Sequence, residues 1–170
     1  MKIIFISLAI LLSTHLAYTE GSKIEEVVDA VTFKLTNGKM VRLMGVQMPE
    51  DEQMRQKATE CVKMLNIEGK EVRLELDAQG NDTLLAYVYV QNTAHYDPDS
   101  PEQTWLPPQA PDPRIWNIAD TWEMFLNAYI IQRGYALPTA DSQNTPYADL
   151  FEGLYQEAKA NKRGLWEKDL

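Results

Sequence analysis

Three polar residues stand close together in the first third of the chain: Arg42, Gln47 and Glu50, spread across Val41-Arg42-Leu43-Met44-Gly45-Val46-Gln47-Met48-Pro49-Glu50. A guanidinium, an amide and a carboxylate at one rim of a sheet are where chemistry in this sequence would start. The other reactive side chains are sparse. Cys61 is the only cysteine, so no intrachain disulfide forms even in an oxidising compartment. It falls at an apolar helix position, where a thiol behaves as a small hydrophobe. His95 is the only histidine beyond the first seventeen residues, so neither a Cys–His nucleophile pair nor a zinc site has its usual parts.

The rim needs elements to hold it. Val31, Phe33 and Leu35 alternate with Thr32, Lys34 and Thr36, the period of a half-buried strand. Asn37-Gly38 predicts a type I′ hairpin turn with both residues at positive φ, and Lys39 to Met44 returns along it. Asp51 caps a helix whose core face reads Met54, Ala58, Cys61, Val62 and Leu65. Val72, Leu74 and Leu76 make a fourth strand and Leu84 to Val90 a fifth. Five strands with a helix between the third and fourth predict an α+β fold: a small closed barrel of the oligonucleotide/oligosaccharide-binding type with about three helices. Trp122 to Leu126 follows as a short strand, then a helix closing at Gly134. The last helix carries the stripe Tyr147, Leu150, Phe151, Leu154, Tyr155 and Ala158, with Gly164 as its left-handed stop and Trp166 folding back on it. The expected core includes Leu43, Val62, Leu74, Tyr87, Ile130 and Leu154.

In four blocks the chain resembles the staphylococcal-nuclease-like (thermonuclease-like) family. Asp29-Ala30-Val31-Thr32 stands where that family has Asp-Gly-Asp-Thr, Arg42 where it has an arginine, and Val46-Gln47-Met48-Pro49-Glu50 where it has Val-Asp-Thr-Pro-Glu. Leu84 to Tyr89, Leu126 to Ala136 and Gly164-Leu165-Trp166 match a strand, a helix and a closing tripeptide. The resemblance covers roughly Lys23 to Trp166 apart from one insertion.

The resemblance implies a calcium-dependent phosphodiesterase ancestry. Two carboxylates hold the ion, a glutamate activates water, and two arginines hold the phosphate. Carried over, the two carboxylates fall on Val31 and Gln47, the arginines on Arg42 and Thr83, and the general base on Glu50. The cage and one clamp are thus replaced, while Arg42 and Glu50 are retained. Losing one such donor costs about 2.7–4 kcal/mol of barrier. The plain alternative for Arg42 and Glu50 is a salt-linked sheet edge and a first-turn acid at a helix N-terminus. Asp29, Asp51 and Glu52 are numerous enough to rebuild a metal site, but acids in a first turn have a sufficient structural reason.

Lys2 followed by the apolar run Ile3 to Leu12 and then His15-Leu16-Ala17 reads as a secretory signal peptide over residues 1–21, cleaved near Ala17. The domain then occupies residues 22–170, and no membrane span is expected after cleavage. The formal charge is −9, and cleavage after Ala17, which removes Lys2, takes it to −10 for a chain starting at Tyr18. That sign opposes a polyanionic ligand. Residues 91–120 carry six of the nine prolines and two of the four tryptophans, Trp105 and Trp116. This insertion reads as an extended flap packed on the barrel. Its tryptophans are candidate partner contacts, the alternative being that they glue the flap down.

The expectation is a secreted or periplasmic, monomeric, catalytically degenerate nuclease-like binding module with no cofactor, whose partner is an envelope or secreted protein. The alternative is a metal-dependent nuclease that uses calcium and binds nucleic acid.

Overall fold

The computed structural model describes residues 17–18, 22–76, 83–91, 112–117, 123–139 and 146–167. Trp105 and most of the insertion lie outside them, as does most of the expected signal peptide. Strand β1 is Ala17–Tyr18, β2 Ile24–Asp29, β3 Thr32–Leu35, β4 Met40–Leu43 and β5 Val46–Gln47. Helix α1, Glu52–Lys63, precedes β6, Val72–Leu76, and β7, Thr83–Gln91. Then follow β8, Trp116–Asn117; β9, Glu123–Phe125; α2, Leu126–Gln132; β10, Leu137–Pro138; and α3, Ala148–Ala160.

The main sheet runs β6-β7-β4-β3-β2, with β4 and β7 parallel and the other neighbours antiparallel. It returns on itself through a seam rather than a full ladder. Lys23 bridges Glu71, Ile24 N–H donates to Lys70 C=O at 3.0 Å, and Val72 N–H donates to Ser22 C=O at 3.0 Å. Further along, the Glu68 carboxylate accepts the Val27 N–H at 3.0 Å, so a side chain replaces the missing strand partner. The five strands expected from the sequence are present, and at this seam an isolated bridge and two backbone hydrogen bonds, not a strand ladder, join the two edges of the sheet. Ala17–Tyr18, at the expected cleavage point, extend the seam by pairing with Glu75 and Leu74.

Inward-facing residues of the strands meet one face of each helix. Phe33, Leu35, Leu43, Leu74, Leu126, Ile130, Phe151 and Leu154 are all less than 2% exposed. All six expected core residues are buried, Tyr87 the most exposed of them at 6%. Asn127 is fully buried and satisfied: its carbonyl accepts from Val88 N–H at 2.9 Å and its amide donates to Met44 C=O at 3.0 Å. It thereby ties α2 to the end of the parallel β4–β7 pair. The insertion rejoins the fold at Asp112. Arg114 pairs with Asp112 and Glu157, Gln132 donates to Asp112, and β8 pairs with β9.

Four local expectations are corrected. The hairpin is a three-residue loop, not a type I′ turn: Gly38 alone has positive φ, 81°, and donates to Leu35 C=O. The Asn37 carbonyl accepts Lys39 N–H at 3.0 Å, a bond that holds Asn37 in the ordinary region. Met54 is exposed, because only Ala58 and Val62 of α1 are buried against the barrel. Cys61 is only half-buried. The left-handed residue directly after the α3 C-cap is Lys162, φ 50°; Gly164 is left-handed too, φ 55°, but serves a close backbone approach described below.

Candidate functional site

Beside α1 lies an open cleft of about 810 Å³. Asp29, Val31, Arg42 and Met48 line its barrel wall. The other wall is one stripe of α1: Glu52, Arg55, Gln56, Thr59, Glu60 and Lys63, at spacings of three and four. Asp51 fixes where this helix begins, its carboxylate accepting Met54 N–H at 2.9 Å. Asp29 closes the β2–β3 turn by accepting Val31 N–H at 2.8 Å.

Arg42 projects from the outer face of β4, exposed, in register with Thr32 on one side and Leu85 on the other. Among the described residues its side chain makes no hydrogen bond or ion pair, so no salt link at the sheet edge is formed with any of them. Every other arginine is engaged: Arg55 with Glu52, Arg73 with Glu75 and Glu123, Arg114 with Asp112 and Glu157, Arg163 with Glu157, and Arg133 with Tyr135.

The rim does not gather Arg42, Gln47 and Glu50 as one group. Gln47 leaves it, because β5 pairs with β10 and the Gln47 amide donates to Pro138 C=O at 3.1 Å. Glu50 is exposed, precedes the Asp51 cap and does not line the cleft; the first-turn acid is Glu52. Thr83 is exposed at the start of β7, in register with Met40.

A calcium ion takes about 6–8 oxygen ligands, chiefly carboxylates and carbonyls. At the two positions that the resemblance gives to its carboxylates stand Val31, apolar and 1% exposed, and Gln47, a neutral amide already bonded to the backbone. Among the described residues no three His, Cys, Asp or Glu side chains group to hold an ion. These residues do not fit the metal.

A model of the family described as staphylococcal nuclease homologue matches residues 40–168. The chain belongs to that family. The match opens at β4, which carries Arg42, so it takes in most of the cleft lining and both later helices. Asp29 and Val31 lie just before the match. No curated protein matches the chain. Among the described residues no helix of this nuclease homologue is long and apolar enough to cross a membrane.

A second polar group, on the far side of β7, escaped sequence reasoning. The Arg73 guanidinium grips the Glu123 carboxylate at 2.8 to 3.1 Å, bonds Glu75 at 2.8 Å and lies 3.9 Å from the Tyr89 ring centroid. Tyr89 stacks on Phe125, and its hydroxyl meets the Tyr147 hydroxyl at 2.9 Å. Burial pushes the Tyr89 pKa well above the usual phenol value, and the hydrogen bond to Glu123 raises that of Arg73. Glu123 is 5% exposed and its role here is to fasten β9 to β6 and β7. Only the long-range pairing reveals this, since Arg73 and Glu123 are fifty residues apart. Trp116 is half-buried and meets Tyr129 edge-on at 6.4 Å, an arrangement that serves packing of the insertion.

Proposed function

We propose that this nuclease homologue is a catalytically degenerate binding module, exported and released into the periplasm or medium as a monomer, that recognises an envelope or secreted protein. One observation carries the reading. Where hydrolysis would need a caged hard cation, the chain offers a buried valine and an amide bonded to a carbonyl, yet the Arg42 side chain is exposed and has no partner among the described residues. Without the metal and the second arginine, a single guanidinium supplies too little of the charge stabilisation that phosphodiester cleavage requires. Binding at the same surface needs neither. The insertion adds a second contact through Trp105, while Trp116 serves mainly to hold it down.

Calcium titration of the leaderless protein, with DNA and RNA cleavage followed in parallel, tests this reading. The expected result is no cleavage above that of an Arg42→Ala, Glu50→Ala control. Robust calcium-dependent cleavage abolished by those substitutions would establish the metal-dependent nuclease instead. N-terminal sequencing of exported protein tests the leader: a start near Tyr18 is expected.

A further inference from the structure

Resting on the degenerate reading, we propose that the cleft between Arg42 and α1 holds an extended peptide segment of the partner, with an acidic side chain on Arg42, an apolar neighbour on Leu85 and a basic group on Glu60. Arg42 is the one arginine without a partner among the described residues. The side chains of Glu60 and Lys63, at the other end of the α1 stripe, likewise make no hydrogen bond or ion pair among the described residues. Leu85, the registered neighbour of Arg42, is 42% exposed, one of four large apolar residues left so open among the described residues. An unpaired guanidinium beside exposed apolar surface is the composition of a binding hot spot.

Charge decides between peptide and nucleic acid. The cleft walls carry Asp29, Glu52 and Glu60 against Arg42, Arg55 and Lys63, a balance of zero, and Glu52 already takes Arg55. A polyphosphate chain laid along this surface meets three carboxylates and gains little counterion release, within a protein whose charge is −9. A peptide carrying both signs is matched by both walls. The volume, about 810 Å³, suits a short extended segment and falls within the usual range for bound ligands, roughly 300–1,000 Å³.

The test is selection of a displayed random heptapeptide library on the purified protein, on Arg42→Ala and on Glu60→Lys, with affinities of selected peptides measured by fluorescence anisotropy. Enriched peptides are expected to share an acid next to an apolar residue and to bind Arg42→Ala at least about tenfold more weakly, a loss of about 1.4 kcal/mol. Glu60→Lys is expected to disfavour peptides bearing a basic residue. Arg42→Ala should unfold at the same temperature as the parent, because the Arg42 side chain makes no bond to any described residue. No enrichment above Arg42→Ala, or enrichment without acids, overturns the proposal. So does tighter binding of a single-stranded oligonucleotide that falls steeply with salt. Calcium-dependent cleavage in the same preparation would overturn the degenerate reading itself, whereas failed selection without cleavage overturns only the peptide.

Discussion

Gly134 and Gly164 lie back to back: Leu165 N–H donates to Gly134 C=O at 2.9 Å, and a Cβ on Gly164 would sit 2.5 Å from that same oxygen and 2.6 Å from Arg133 C=O. A Cβ on Gly134 would overlap the Arg163 carbonyl. Both residues have positive φ, 72° and 55°. The end of α2 and the turn after α3 are thus joined through bare backbone.

Either Gly134→Ala or Gly164→Ala should therefore cost more than the roughly 1–2 kcal/mol of a left-handed alanine, since the overlap adds to it. Urea unfolding with an unchanged slope measures this. The double variant should cost less than the sum, because both substitutions disrupt one contact.

Glu123→Ala leaves Arg73 without its bidentate partner, and a loss of about 2–3 kcal/mol is expected, tempered by the partial exposure of Arg73. Tyr89 sets an alkaline limit. Its folded pKa is raised, so its contribution is whole below the unfolded tyrosine value, about 10, and is lost as pH rises from there toward the folded value. Denaturant titrations between neutral pH and pH above 10 should show that decline, and Tyr89→Phe should flatten it.

At the acid side, Asp112 and Glu157 have lowered pKa values, chiefly because each accepts hydrogen bonds from Arg114. Their contribution is present above the unfolded carboxylate values and is lost as pH falls through the folded ones. Both are partly exposed, Asp112 by 21% and Glu157 by 30%, so solvent screening keeps the effect modest. Tryptophan fluorescence of a variant retaining Trp116 as its sole tryptophan should shift in acid before global unfolding. Arg114→Ala should move that shift to higher pH.

Val31→Asp with Gln47→Asp restores the two missing carboxylates. Without calcium the variant should be less stable by on the order of 2–3 kcal/mol, since Val31 is buried among apolar neighbours. Calcium should recover part of that loss by mass action while leaving the parent's melting temperature unchanged. A parent protein stabilised by calcium would contradict the reading of these two positions.

The sequence by itself determined what is written within a few residues. Alternation at Phe33 and Leu35, the Asp51 cap, the stripe through Phe151 and Leu154 and the burial of Leu43, Leu74 and Ile130 all follow from local period and capping chemistry. It also carried the family, since the blocks from Arg42 to Trp166 fall within the matched span. The tertiary structure alone decided which polar groups meet. Gln47 turns to Pro138, ninety-one residues away, and not to Arg42. Glu68 accepts the N–H of Val27, forty-one residues away, and Glu123 is buried on Arg73. Met54 is exposed because the barrel reaches only Ala58 and Val62. Period fixes which face of an element is apolar, but the partner of a charged or amide side chain depends on which distant element packs beside it. That is why Arg42 was readable as a residue of interest, and its lack of a side-chain partner among the described residues was not.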